Sequence, residues 1–386
     1  MDTFFRTPKR LRIICLVLLV AGIAVIAFGL LNDPARTWPN LLLNNMFFLS
    51  ISIGALLFYS IQFITGSAWS AIFQRLPLAL GAFIPLGGLL MLALFFGLPH
   101  IYQWAQPGIT ETDKLIAHKE PFLNVPFFMI RNLIYFSAFA GLYILLGRLA
   151  NKEDQDPNPA WYQKSAYWGK VFIFVAVLLF SMAAIDWIMT IDAHWYSTLF
   201  GFRAMVTSMY FATAVIILLL YYLKSSGYFP ELKMAHRHDL ARYLFRFSIV
   251  FGYLWFMQFL ILWYANIPEL TVYYYPRFLG VWQPLFYAEI LINFAIPFAV
   301  LMADAMGQKK FVLLAISLLL IPGLYISFFL QIMPGSYGEM RFGLIELGSW
   351  LAYAAAFILL TLRALGKRSL IPHNHPLLEA SKHHHL

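Results

Sequence analysis

Ten runs of about twenty apolar residues set the limits on what this chain can fold into. A segment with no water around it must satisfy its own backbone hydrogen bonds, so only helices and closed barrels cross a bilayer. A spanning helix takes about 20 residues at about 1.5 Å each, whereas a barrel strand takes only about 10. The runs have cores near 12–31, 42–64, 78–98, 127–149, 170–190, 203–223, 243–265, 284–304, 310–332 and 342–363. They are too long for strands and predict an all-α polytopic membrane protein, a single integral membrane domain over residues 1–386. The remaining composition agrees: 61% of residues are hydrophobic and 12% charged, about half the charge of a soluble domain. The first run follows Arg6, Lys9, Arg10 and Arg12 but is long for a signal peptide, and LLNDPARTWPN after it holds no small-x-small cleavage site. It reads as a retained helix.

Ten spans put both ends on one face, and basic residues decide which. With the termini inside, the outer side holds 7 of the 27 Lys and Arg residues: Arg36, Lys114, Lys119, Arg131, Arg203, Arg277 and Arg341. The other 20 fall inside, so both termini of this multi-pass chain are expected in the cytoplasm. The net charge of +9 is then a property of cytoplasmic loops and gives no reason to expect nucleic acid. Between the spans, NKEDQDPNPA (151–160) reads as a polar, proline-bearing loop. The second and fourth outer loops are rich in Trp, Tyr, Pro and His, as in an interfacial aromatic belt or a periplasmic docking surface.

Covalent redox chemistry finds few ligands. Cys15 is the only cysteine, so there is no CxxCH attachment site and no cysteine-held cluster. Five of ten histidines lie at 373–385, and His100, His118, His194, His236 and His238 fall in predicted loops. Neither a bis-histidine haem nor a metal site is expected, and HHH at 383–385 reads as a solvated tail.

Ionisable residues inside spans are costly and mark function or pairing. Asp186 lies sixteen residues beyond Lys170, about 24 Å up the fifth helix. Asp192 and His194 stand at its outer mouth, and Arg203 opens the sixth helix. Arg131 is a few residues deep in the fourth. Glu289 is about 8 Å into the eighth helix, with Asn293 at i+4 on the same face and Pro297 set to kink the helix below. Glu346 is about 8 Å into the tenth. These groups share the outer half, which suggests a proton-handling or quinol-handling site, each carboxylate having the alternative of simple pairing with an arginine such as Arg131 or Arg203. The inner half is sparse, with Tyr, Ser, Thr and Gln258, so a proton entering there needs hydroxyls and water. No residue is assigned a catalytic role.

Two stretches, KEPFLNVPFFMIRNLIYF (119–136) and DWIMTIDAHWYSTLFGFR (186–203), resemble the ActF-type membrane subunits of alternative complex III, a bacterial quinol:cytochrome c oxidoreductase. The resemblance extends over all ten helices. It implies an NrfD/PsrC-like arrangement of two four-helix bundles plus additional helices. It also implies partners: an ActC-like paralogue, multihaem cytochrome c subunits, an iron–sulfur subunit, small membrane subunits and lipids. Haem c and iron–sulfur clusters are expected in those partners only. This chain would supply a transmembrane proton path and a quinone or menaquinone pocket without a redox cofactor of its own. Asp186, Asp192, His194, Arg203 and Arg131 lie within the matching stretches, whereas Glu289, Asn293 and Glu346 rest on depth alone. Two other functions fit a polytopic chain with buried carboxylates. A proton-coupled secondary transporter would show paired interrupted helices, and Pro297 and Pro322 have no counterpart in the other half. A membrane scaffold would use the same residues only to pair.

Overall fold

The computed structural model describes residues 4–265 and 267–385. Ten helices long and apolar enough to cross a membrane follow in order. We number them α1 (Lys9–Asn32), α2 (Pro34–Thr65), α3 (Ala71–Ile101), α4 (Val125–Gln155), α5 (Ala160–Ile191), α6 (Phe200–Ser225), α7 (Met234–Ala265), α8 (Gln283–Leu301), α9 (Lys310–Ser336) and α10 (Leu344–Gly366). Among the described residues no strand forms; an isolated bridge from Phe4 to Ser369 ties the two ends together on one face, called here the terminal face.

Several boundaries move outward from the apolar cores. Hydropathy ends where polar residues begin, but backbone hydrogen bonding does not. Helix α7 starts at Met234, so His236 and His238 are helical rather than in a loop. Helix α4 runs through Gln155 and absorbs half of the polar 151–160 stretch. Helix α2 starts at Pro34 because Asp33 caps it, accepting from the Arg36 amide at 3.3 Å, with proline where no amide partner is needed.

Helices α2 to α5 close one four-helix bundle and α6 to α9 a second, each helix packing on the next and the last on the first. Helix α2 joins them by packing on α6 and α9, and the α1–α10 pair lies against α2 and α3. The central stretch of α2 is wholly buried, whereas α1 is mostly exposed to the surroundings. Lipid tails are as apolar as leucine, so spanning helices associate through close backbone approach and interhelical hydrogen bonds. Both devices occur here. A Cβ at Gly54 would lie 2.1 Å from the Ser208 carbonyl oxygen, so only glycine lets α2 and α6 meet. From α2, Asn44 donates to Ser349 at 2.9 Å and Asn45 to the Gly87 carbonyl at 2.9 Å.

Two helices are interrupted by π turns, Ala176–Phe180 in α5 and Leu291–Ala295 in α8. In α8 the cause is in the sequence. Pro297 has no amide to offer the carbonyl of Asn293 four residues back, and the Tyr210 hydroxyl donates to that carbonyl at 3.1 Å instead. The kink expected at Pro297 is thus a π turn just ahead of it.

Candidate functional site

In the first bundle, Arg131 and Asp186 form a two-pronged pair. Asn124 caps α4 by accepting from the Phe127 amide at 2.9 Å, which fixes Arg131 two turns in. Its Nε donates to Asp186 Oδ2 at 2.7 Å and its Nη2 to Oδ1 at 3.1 Å. Tyr135, one turn along on the same face, donates its hydroxyl to Oδ2 at 2.7 Å. Arg131 is 5% exposed and Asp186 1%. The guanidinium's third nitrogen donates to the Phe122 carbonyl at 3.0 Å, and its carbon lies 4.0 Å from the Phe122 ring centre. Trp187 beside Asp186 donates to Asn132 at 2.7 Å and stacks on Phe136. Of the two arginines open to Asp186 from the sequence, Arg131 is the partner.

The second bundle has its own pair, built by all four helices. Arg203 of α6 donates to Gln258 of α7 at 2.8 Å and to Glu289 of α8 at 2.9 Å. Trp255 donates to the other oxygen of Glu289 at 3.0 Å, and Ser327 of α9 donates to Glu289 at 2.7 Å. Asn293 donates to Ser327 and to the Gly323 carbonyl, each at 3.1 Å. Gln258 therefore belongs to this network, not to the inner half. The helix that carries it begins at Met234, which places Gln258 seven residues from the far end. Two groups in the network have no partner, Gln258 Nε2 and Asn293 Oδ1.

The other sequence candidates go elsewhere. Asp192 accepts from Arg277 at 3.0 Å. Arg277 sits on a short helix, Tyr275–Phe278, beyond α7 and is 3% exposed. It also donates to the Leu330 carbonyl at 2.8 Å and lies over the Tyr273 ring. His194 pairs with Asp113 at 2.7 Å and is largely exposed. Glu346 heads α10, where it accepts from the Gly343 amide at 2.7 Å, from Arg36 Nε at 2.7 Å and from Asn40 at 3.0 Å. The four charges of the 186–203 stretch thus hold four different partners: Arg131, Arg277, Asp113 and Glu289. They fasten four elements together rather than converge on one point, and the single outer cluster expected from depth divides into separate pairs.

One cavity lies beside the Arg131–Asp186 pair, reaching it through Phe122 and Thr190. It measures about 390 Å³ and lies between the α3–α4 connection and the end of α5, lined by Phe122, Leu123, Met189, Thr190, Trp195 and others. Phe122 is the ring under Arg131, and Thr190 donates to the Asp186 carbonyl at 2.6 Å. Its walls are apolar except at a few points. Among those are His118, Lys119 and Thr190; Lys119 donates to the Ala193 carbonyl at 2.6 Å, and the indole N–H of Trp195 is buried away from the cavity without a hydrogen-bond partner. A second hollow of about 280 Å³ between α9 and α10 is lined by Tyr325, Trp350 and Glu346, and the Tyr325 hydroxyl has no partner either. Among the described residues no three His, Cys, Asp or Glu side chains converge where they could hold a metal ion.

A further polar cluster closes the first bundle at the terminal face. Arg75 donates to Asp154 at 2.8 Å and lies 3.6 Å from Glu153. The chain after α10 folds back over it. Asn374 donates to the Glu153 carbonyl at 2.9 Å, and His375 packs on Tyr162. Burial, with the Arg75 charge beside it, holds the His375 imidazole down to about 3, so it is neutral. His375 Nδ1 accepts from the Leu377 amide, which leaves the proton on Nε2. That donor has no partner, nor have Arg75 Nε and Nη1, Glu153 Oε1, Ser60 or Ser165. Orphaned donors and acceptors buried together are what internal water serves. Sequence reading missed this cluster because 151–160 looks like an exposed loop. The tail beyond is partly docked: His384 bonds Asp239 at 2.6 Å and the His236 ring faces the Ser381 carbonyl at 3.1 Å, while His383 and His385 are exposed.

Comparison with models of known families finds no match to this chain, and comparison with curated proteins finds none.

Proposed function

We propose that the chain is a non-redox integral membrane subunit of a quinol:electron-acceptor oxidoreductase, as its resemblance to the ActF-type subunits implies. The observation that carries this reading is an apolar cavity of about 390 Å³ whose wall residues Phe122 and Thr190 also contact the Arg131–Asp186 pair. Cofactor pockets are typically a few hundred Å³, mostly apolar, with a small number of placed polar groups. A quinone or menaquinone ring has that character: a flat apolar body with two carbonyl oxygens. The residues present fit it, with His118 and Lys119 as polar side chains at the wall and Phe122, Leu123 and Met189 to cover the ring. Tyr135 and Asp186 then form a two-member chain that can receive and pass a proton. The Arg75–Glu153–His375 cluster, with Ser60 and Ser165, offers water sites at the other end of the same bundle. Haem c and iron–sulfur centres belong to partner subunits, among them an ActC-like paralogue, and the two termini face the cytoplasm.

A photoreactive quinone analogue tests the pocket. Cross-linking to Met189 or Phe122 is expected, and Leu123→Trp, which fills the hollow, is expected to abolish it without loss of the subunit. Labelling unaffected by Leu123→Trp, or confined to other helices, refutes the site. Expressed alone and pure, the chain is expected to show no haem absorbance; a stoichiometric Soret band refutes the non-redox assignment.

A second reading, a proton-coupled transporter, gains one observation. The π turns of α5 and α8 give each bundle an interrupted helix, the kind of pairing transporters use. Proton-driven solute uptake by the isolated chain in vesicles would favour it over the first.

A further inference from the structure

Two adjoining cavities open on the terminal face on either side of the last turn of α10. The first, about 340 Å³, lies between α4 and α10 and carries Arg148, Arg363, Lys367 and Arg368. The second, about 530 Å³, lies between α1 and α10 and carries Lys9, Arg12 and the same Arg363. No carboxylate lines either one.

A basic terminal face is expected of any multi-pass chain, and a helix C-terminus favours a cation such as Arg363. What sets this patch apart is that six cations line two adjoining hollows that share Arg363 and Leu360 and contain no counter-ion. Some other cations of this face are neutralised, Arg75 by Asp154 and Lys382 by Glu379, whereas others such as Lys164 and Lys309 form no ion pair among the described residues but line neither hollow. Among the described residues Lys9, Arg12, Arg148, Arg363 and Lys367 form no ion pair. Arg368 is held at the wall by donating to Asn151 at 2.6 Å and by contact with Tyr143 and Gly147. Below the charges the walls turn apolar, with Leu16, Leu359, Leu362 and Ile144 in spanning helices.

A ligand that satisfies both halves has anionic groups at the membrane surface and hydrocarbon beneath them. The two basic hollows sharing Arg363 call for two anionic groups a few ångströms apart. We propose that the cleft around Arg363 binds a phospholipid with two phosphates, of the cardiolipin class, one phosphate on each side of α10. A basic pocket between spanning helices is a known physical solution for such headgroups. A free bisphosphate would use the charges but not the apolar walls, and a monophosphate lipid would fill one hollow only. The site is independent of the quinone reading, since it uses none of the same residues.

Native mass spectrometry and vesicle titration of the purified full chain test this with tetraoleoyl cardiolipin, dioleoyl phosphatidylglycerol, dioleoyl phosphatidylcholine and inorganic pyrophosphate as probes. One cardiolipin is expected to bind tightly, phosphatidylglycerol more weakly, and phosphatidylcholine and pyrophosphate not measurably. Each surface cation contributes an amount equivalent to about fivefold in affinity. Arg363→Gln is therefore expected to weaken cardiolipin binding about fivefold or more, with melting in phosphatidylcholine unchanged. Should Arg363→Gln alter that melting, the double variant Lys9→Gln/Arg148→Gln, exposed and on other helices, is expected to weaken binding about twenty-fivefold. Equal affinity for cardiolipin and phosphatidylglycerol, full competition by pyrophosphate, or binding indifferent to both variants overturns the proposal.

Discussion

Replacing Asp186 with asparagine keeps the size of the side chain and removes half of a buried ion pair. Asp186 accepts three hydrogen bonds, from Arg131 at 2.7 and 3.1 Å and from Tyr135 at 2.7 Å. An asparagine can accept at one oxygen only and turns an amide donor toward a guanidinium donor. Stranding one partner of a buried pair costs roughly 3–5 kcal/mol. The lower end applies, because Arg131 keeps the Phe122 carbonyl and the faces of Phe122 and Phe127. A loss of about 3 kcal/mol corresponds to roughly a hundredfold in the folded-to-unfolded ratio. Reversible unfolding in mixed detergent–SDS micelles measures it, and a double-mutant cycle apportions it. Arg131→Met and Asp186→Leu are each expected to be strongly destabilising alone. Together they are expected to lie within about 1–2 kcal/mol of wild type, since a buried pair exchanged for apolar residues of similar size is often near neutral. Strict additivity of the two single changes refutes the coupling. The double variant also separates structure from chemistry. If it assembles and retains proton-linked turnover, Asp186 is a fastening and not a relay.

Gly323→Ala would place a Cβ 1.9 Å from Asn293 Oδ1, so the α8 π turn must shift. A loss of about 1–3 kcal/mol is expected in the same micelle assay, and an unchanged stability refutes the close packing of α8 on α9. For topology, Cys15 is buried and leaves a silent background. A membrane-impermeant thiol reagent on whole cells is expected to label Thr110→Cys and not Gln155→Cys; the reverse pattern inverts the orientation. In the α3–α4 connection, the Ile116 and Leu115 amides hold the Asp113 carboxyl below its ordinary value, with His194 adding to the effect. A lowered folded pKa means the contribution is present above the unfolded value and disappears as the pH falls through the folded one. Protection of those two amides, measured as exchange relative to the intrinsic rate at each pH, is thus expected to fall only below about pH 4, and a loss of protection between pH 5 and 8 contradicts the cap.

The ten helices were legible because hydrocarbon leaves an apolar chain almost no other form. Their ends were less so, since Arg237, Asp239 and Arg242 lower the hydropathy of α7 without breaking its backbone ladder. The pairing of charges was only partly legible. Depth along each helix placed Arg131, Arg203, Asp186 and Glu289 in one outer layer and left Asp186 open to either arginine, because depth cannot say which helices touch. That is why Asp192 and His194 seemed to belong beside Asp186 and instead reach Arg277 and Asp113. Arg277 was written off as a loop cation, although YYYPR before FLG places an aromatic face one turn ahead of it. Asn40, Asn44 and Asn45 gave the clearest overlooked signal. Three asparagines within six residues of an apolar span have no tolerable exposure to lipid, and they mark α2 as the helix in the middle. The π turn in α5 has no proline or glycine to announce it.

The position of α2 bears on how the chain is made. It is the second span to leave the ribosome; Asn45 meets Gly87 as soon as α3 follows, but three other polar residues lack their interhelical partners for most of synthesis. Arg36 and Asn40 wait for Glu346, and Asn44 waits for Ser349, all on α10. The first bundle alone cannot shield them, so the early helices must remain in a protected setting until the last span arrives and closes over them. Completion of the chain and burial of its centre become one event. A ribosome that stops before residue 344 releases an intermediate whose central helix still displays amide and guanidinium groups to the bilayer, a mark by which membrane proteases can tell the unfinished product from the finished one.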